Sequence, residues 1–351
     1  GIPEVRDYVR NLVLEVVRQY PIDAIHFDDY FYPYPKPDIS FPDDSSFYTY
    51  ARDTTDRAAW RRQNINLFIQ ELRREMLSLK PEVQFGISPF GVWRNQQDDP
   101  KGSPTRAGVT SYDALHADIL HWLDKGWMDY VAPQIYFSIG YPPADYQILL
   151  EWWAQQVQDT RLYIGHAVYK VGNNSDKRWS DPSEIPNQLR QLRKEKIPGS
   201  IFFRSQFLKD NPLSVTDSLK SDLYAHPALL PVSQYTPSFP PLLPSEFRVR
   251  PRLEGIELQW EIPASGEARY YAIYRAEGSI PDTSGQYLYK ILPDTGNVYL
   301  DHDLKNFRKY AYRITALDNA YQESGPTATL SRRYWWGWFR NWKQKRKEAQ
   351  K

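Results

Sequence analysis

Residues 22–34 read IDAIHFDDYFYPY, and the fold turns on how that stretch divides. Its first six residues, 22–27, form a short apolar run with β-branched and aromatic members, the length of a buried strand rather than a helix. Asp28 and Asp29 end the run, and a long aromatic loop follows from Tyr30 to about Thr54. Upstream, Val5, Val9, Leu12, Val13, Val16 and Val17 recur at spacings of three and four, so a helix is expected over 5–20, stopped by Pro21. Downstream, Ile65, Phe68, Ile69, Leu72, Met76 and Leu79 mark one stripe of a helix over 60–79.

The alternation then repeats. Strands are expected at 83–88 (VQFGIS), 130–136 (YVAPQIY), 162–167 (LYIGHA) and 199–204 (GSIFFR). Helices are expected at 112–125, 145–158 and 182–194, the last capped by Ser183 or Asp181, with a closing helix at 217–224. Short apolar strands separated by helices make an α/β parallel sheet. In a (β/α)8 barrel of the TIM type, the loops that follow the strands hold the site, and here the long polar-aromatic loops all follow strands. An open doubly wound sheet is the alternative, although the dinucleotide glycine fingerprint is missing.

Residues 232–245 continue a Pro-rich stretch and read as a stiff, extended linker between a first domain at 1–231 and a second at 246–331. In the second domain the apolar period falls to two, as in the strands of an all-β sandwich, with Trp260, Tyr274, Tyr312 and Ile314 expected in its core. Residues 332–351 form a basic aromatic tail. Read as a helix, that tail puts Trp335, Trp338, Phe339 and Trp342 on one face, with Arg333, Arg340, Lys343 and Lys347 around the rest. Such a segment suits an anionic membrane surface or wall polymer, or packs back on the protein.

Composition narrows the function classes. Lys plus Arg total 44 and Asp plus Glu 43, a net charge of +1, so nothing electrostatic points to nucleic acid. The chain has no cysteine, which rules out disulfides, thiol catalysis and Cys-based zinc sites and fits an exported bacterial protein. Its histidines lack close ligand spacing, so neither a metal nor a cofactor is expected. Aromatic residues are abundant, with 26 Tyr, 15 Phe and 12 Trp. Aromatic planes pack against the C–H faces of sugar rings, and Tyr and Trp add a polar edge; a large aromatic core is the plainer reading.

The strand ends gather the polar chemistry. They contribute His26, Asp28, Asp29, Tyr30, Trp93, Arg94, Gln134, Tyr136, His166, Tyr169, Lys170 and Arg204, while the strand interiors stay apolar. Only Asp28 and Asp29 among them are carboxylates. Glycoside hydrolysis usually needs two, one of them a proton donor. Adjacent side chains on a strand point to different sides. Repulsion and partial burial should therefore raise one pKa and keep that group protonated. Capping of the following loop, or pairing with Arg94 or Arg204, is the structural alternative. Tyr30, Tyr32, Tyr34, Trp93 and Tyr136 are candidate stacking platforms, and His26 and His166 are either sugar ligands or satisfied core histidines.

Seven stretches then carry a resemblance: GIPEVRDYV, DAIHFDDYFYPYP, WRRQNINLFIQEL, FGISPFGVWRN, WMDYVAPQIYF, LYIGHAVYKVG and GSIFFRSQFLKDNPL, in order from residue 1 to about 231. Together they resemble the glycosyl-hydrolase-like-10 family, bacterial glycosidase-like proteins that include cell-wall glycan hydrolases. The resemblance implies an eight-stranded barrel in which residues 25–29 (IHFDD) are the end of the fourth strand, so that this chain lacks the first three. It also implies a polysaccharide substrate and an extracytoplasmic, cell-envelope location. The Asp pair further resembles that of substrate-assisted hexosaminidases. There the substrate's 2-acetamido oxygen is the nucleophile, one Asp polarises that amide and the other is the general acid/base. On that reading Asp29 is the proton donor and Asp28 its partner. The block at 246–331 resembles a fibronectin type III module, from the Trp on its second strand, YAIYR, and YAYRITALD followed by ESGP. A non-catalytic glycan-binding protein with a docking sandwich is the competing function.

Overall fold

The computed structural model describes residues 1–51, 54–232, 239–262 and 268–335. The chain forms two compact units, Gly1–Leu223 and Tyr224–Lys351.

In the first unit the helices are α1 (Pro3–Gln19), α2 (Asp44–Tyr50), α3 (Arg57–Leu79), α4 (Ile119–Asp124), α5 (Tyr146–Gln156), α6 (Glu184–Lys194), α7 (Ser205–Asp210) and α8 (Val215–Ser218). The strands are β1 (Ala24–Phe27), β2 (Gln84–Ile87), β3 (Tyr130–Val131), β4 (Arg161–His166) and β5 (Gly199–Phe202). All neighbours pair in parallel, in the order β1-β2-β3-β4-β5. Each strand lies beside its sequence neighbour and the order never reverses, as it would in a doubly wound sheet. The result is a partial, barrel-like α/β domain. Phe85, Ile87, Val131, Leu162 and Ile164 share a buried core with Ile69, Leu72 and Met76 of α3 and Leu149, Leu150 and Trp153 of α5.

The other face of the sheet alternates bulk with space. His26 stacks on Tyr130 at 5.7 Å between ring centroids, and Tyr130 packs against Tyr163 at 5.5 Å. Gly86 lies between His26 and Tyr130 in register, and a Cβ there would fall 1.9 Å from the Tyr130 ring. Gly199 makes the same room for Tyr163, at 2.8 Å.

Pro3 opens α1, where its missing N–H costs nothing. Leu14 and Val17 of α1 are buried, while Val5 and Tyr8 on its outer side are 54% and 64% exposed. Asp56 caps α3 by accepting from the N–H groups of Ala58 and Ala59. No described helix is long and apolar enough to cross a membrane.

Several expected elements differ. The helix expected over 112–125 is only α4, because His116 takes a left-handed φ of 53° and Asp118 restarts the chain by capping His121 N–H. The strand expected over 130–136 stops at Val131. Pro133 has no N–H to give a ladder, and Gln134 makes only isolated bridges, to Phe90 and Gly165. Ser183 precedes α6 without a side-chain cap; Asp181 instead accepts from the Ser183 N–H and hydroxyl at 2.8 and 2.6 Å. The closing helix at 217–224 is a short α8 running into a wider turn, Leu219–Leu223.

The second unit holds β6 (Ser245–Pro251), β7 (Ile256–Glu261), β8 (Tyr270–Glu277), β9 (Leu288–Pro293), β10 (Val298–Asp301), β11 (Lys309–Leu317) and β12 (Leu330–Arg333). They form antiparallel sheets in the orders β10-β7-β6 and β12-β11-β8-β9. Leu258 and Trp260 of the first sheet meet Tyr271, Ile273, Tyr312 and Ile314 of the second in one core. Tyr274 does not join them. It belongs to a separate cluster with Ala272, Leu288 and Leu317, and its hydroxyl donates to Glu323 at 2.6 Å. Strand alternation is the reason: Tyr271 and Ile273 face one way, Ala272 and Tyr274 the other. Arg332 and Arg333 pair with Tyr310 and Lys309, and Tyr334 is buried, so the start of the tail is part of this unit. Its expected Trp face, beyond Trp335, lies outside the described residues.

Candidate active site

The β1 strand delivers Asp28 and Asp29 to the end where the sheet's loops gather. Ser88 N–H donates to Phe27 O at 2.8 Å, which sets Asp28 beside β2. Gln134, just past β3, then reaches across. Its Nε2 donates to Asp28 Oδ1 at 2.6 Å and to Ser88 O at 2.9 Å, spending both amide hydrogens on fixed acceptors. The Asp29 N–H donates to the same Asp28 oxygen at 2.9 Å.

The two neighbouring carboxyls sit in unlike settings. Asp28 is exposed, whereas Asp29 is 3% exposed and accepts a hydrogen bond on Oδ2 from the Tyr34 hydroxyl. Burial pushes the Asp29 carboxyl above its ordinary range; the Tyr34 donor opposes this, and the Asp28 charge adds to the rise. Burial and the Asp29 contact in turn raise the Tyr34 phenol.

Around the pair is a cleft of about 330 Å³. Tyr30, Tyr34 and Phe90 wall it beside β1 and β2; Tyr136, Phe137, Tyr169, Lys170 and Phe203 wall it beside β3, β4 and β5. Tyr136 stacks on Phe203 at 6.1 Å, and Tyr169 meets both edge-on. The Lys170 ammonium donates to Tyr136 O at 2.6 Å, and burial lowers its pKa while Asp176 opposes the shift. Among the described residues lining the cleft, Asp28 and Asp29 are the only carboxylates. No group of three or more potential metal ligands occurs among the described residues.

Seven of the residues read from the strand ends therefore meet in the cleft: Asp28, Asp29, Tyr30, Gln134, Tyr136, Tyr169 and Lys170. Six lie elsewhere. Trp93 is 4% exposed, stacked near Trp152 and edge-on to Tyr112 in the core. Arg94 is held by Asp99 and Asp113 at 3.1 and 3.0 Å, which ties down its own loop. Tyr32 is buried against Phe41 and His116 with the Arg61 guanidinium over its ring. His26 bonds the Tyr130 hydroxyl at 3.0 Å, further down the sheet. His166 is fully buried on the helix side, its Nδ1 3.0 Å from Gln188 Oε1, and burial lowers it to about 4. Arg204 is exposed, with its guanidinium over Phe207.

Phe90, Phe137 and Phe203 were not singled out in the sequence, although each stands one or two positions from a residue or motif that was. Phe looks the same as core in a one-dimensional pattern. Tyr34 was visible as an aromatic; its bond to Asp29 depends on how the loop folds back.

Residues 1–181 match the family model described as Glycosyl hydrolase-like 10. Glycosyl hydrolase YngK of Bacillus subtilis (strain 168) is 43% identical over 334 residues, which cover 92% of this chain and 65% of that protein. Glycosyl hydrolase DigH of Escherichia coli (strain K12) is 42% identical over 216 residues, 59% of this chain and 49% of that protein. The chain thus spans about half to two thirds of the length of these curated relatives. A solved fn3 domain of human contactin 1 shares 14% identity, covering 33% of this chain and 90% of that one, at a TM-score of 0.24, a likeness too slight to assign a fold. With its model matched over more than half of the residues, this chain belongs to the glycosyl hydrolase-like 10 family.

Proposed function

We propose that the first unit is a glycoside hydrolase domain that cuts a bacterial polysaccharide by acid/base catalysis, with Asp29 as proton donor and Asp28 as its partner. The observation that carries this reading is the contrast between the two carboxyls. Asp29 is buried, with its pKa pushed upward, as a general acid requires. Asp28 is exposed to the cleft and held by Gln134 and the Asp29 N–H. A carboxylate fixed in this way is suited to accept the N–H of a 2-acetamido group and orient that group's oxygen for attack. We therefore propose a 2-acetamido polysaccharide, such as the glycan strands of peptidoglycan, as substrate. Tyr30, Tyr136 and Tyr169 are proposed to contact the sugar rings and Lys170 and Gln134 their polar groups.

The non-reversing parallel order supports reading the unit as part of a (β/α)8 barrel. The three- and four-stranded antiparallel sheets of the second unit support a fibronectin type III-like sandwich, with a docking rather than chemical role. Residues 336–351 carry four aromatic side chains among basic ones and are proposed to contact an anionic membrane or wall polymer outside the cytoplasm. The test is incubation of the protein with a glycan panel, following new reducing ends. Release from 2-acetamido polymers supports the reading; binding without release leaves a glycan-binding protein instead; neither binding nor release sinks it.

A further inference from the structure

The cleft at the Asp pair does not end at Lys170. A second hollow of about 250 Å³ shares Tyr136, Phe137 and Lys170 with it. A third, of about 680 Å³, shares Tyr141, Ser175 and Asp176 with the second. The three hollows adjoin along the loop after β3 and the loop after β4 as a trough, crossed where the first meets the second by the Lys170–Tyr136 hydrogen bond. Its walls alternate planes with fixed polar groups. Phe137 and Tyr141 stack at 5.8 Å with 12° between their planes. Asp176 accepts from the Ser138 hydroxyl and from Arg178 Nη1 at 2.9 Å, and its own N–H is held by Asn174 at 2.9 Å. Trp179, nearly fully buried, lies under the Lys170 ammonium at 5.7 Å. The geometry is set by internal hydrogen bonds before any ligand arrives, so little ordering is left for binding to do.

Building on the proposed glycosidase reading, we infer that this trough is an extended sugar-binding groove that seats at least two further rings of a linear saccharide on one side of the Asp pair. Tyr141 supplies a stacking plane, and Asp176, Ser175 and Lys170 supply hydroxyl partners. A groove that extends on one side of the reacting carboxyls favours a longer saccharide over a dimer.

The test measures affinity by calorimetry on an Asp29→Asn background, where turnover is slowed. The probes are β-1,4-linked N-acetylglucosamine oligomers of two to six rings and the matching cello-oligosaccharides. Affinity should rise by about tenfold or more between dimer and tetramer in at least one ladder. Tyr141→Ala should abolish that gain and leave the dimer within about twofold. Ser175→Trp, at an exposed loop position, should block the groove without removing a core contact, so a misfolded Tyr141 variant cannot mask the result. Dimers that bind with no gain on lengthening overturn the groove and leave the active-site reading standing. Failure of both ladders to bind overturns both.

Discussion

The Tyr34 hydroxyl donates a hydrogen bond to Oδ2 of Asp29, so a residue of the loop after β1 governs the state of the buried carboxyl. Two neighbours pull that carboxyl in opposite directions: Tyr34 favours its charged form and the Asp28 charge disfavours it. If Asp29 is the general acid, activity falls as pH rises through its raised pKa. Tyr34→Phe should then move this alkaline limb to higher pH. Asp28→Asn should move the limb of its residual activity to lower pH. Profiles of kcat/KM against pH read both, and two shifts of the same sign would contradict the arrangement.

Asp29→Asn should lower turnover by roughly 10²-fold or more, the usual scale for general acid catalysis, while saccharide binding survives. Unchanged turnover takes Asp29 out of the chemistry.

Two buried histidines tie stability to pH. Burial holds both His116 and His166 at about 4, far below the ordinary 6.5, with Arg61 and Arg62 adding to the fall at His116. Both stay neutral in the fold, whereas the unfolded chain takes up protons below pH 6.5. Their contribution is complete above pH 6.5 and is lost as pH falls towards 4. The melting temperature should decline across that window, and His166→Gln should flatten the decline. An equally steep decline in the variant would exclude His166 as a source.

The Tyr130 ring occupies the space a side chain at position 86 would need. Gly86→Ala should destabilise the first unit by about 1–3 kcal/mol or more, as overpacking does. Tyr130→Leu in the same chain should recover part of the loss, because the two positions are coupled. Urea unfolding of the single and double variants measures both effects.

Deleting residues 336–351 separates surface binding from packing. If the tail is an anchor, co-sedimentation with anionic vesicles should drop while the melting temperature stays put. A lower melting temperature with unchanged vesicle binding marks it as packing. The cut belongs after Trp335, since Arg332 and Arg333 pair with β11.

The period of apolar residues made the strand-helix alternation legible, and the Asp pair stood out because carboxylates are rare at strand ends. Which face a strand-end residue takes was less legible. In β4, Ile164 and His166 turn to the helices and Tyr163 to the opposite face, yet both faces are largely covered, so the sequence shows no polar alternation to separate them. Trp93 and Arg94 follow β2 by only a few residues, but their loop closes on itself through Asn95 and Ser103 and carries them away from the cleft. Loop closure of that kind rests on backbone and side-chain hydrogen bonds between residues that no periodicity links. The bond from Tyr34 to Asp29 was hidden for the same reason.

The outer side of α1, with Val5 and Tyr8 largely bare, has a consequence for how the protein unfolds. Apolar surface already open in the folded molecule gives colliding chains a place to adhere as soon as heating loosens them. Melting of this unit is then governed by the rate at which molecules open and are captured. Its midpoint should climb with faster heating and with dilution, and slow, concentrated samples should not recover their fold on cooling.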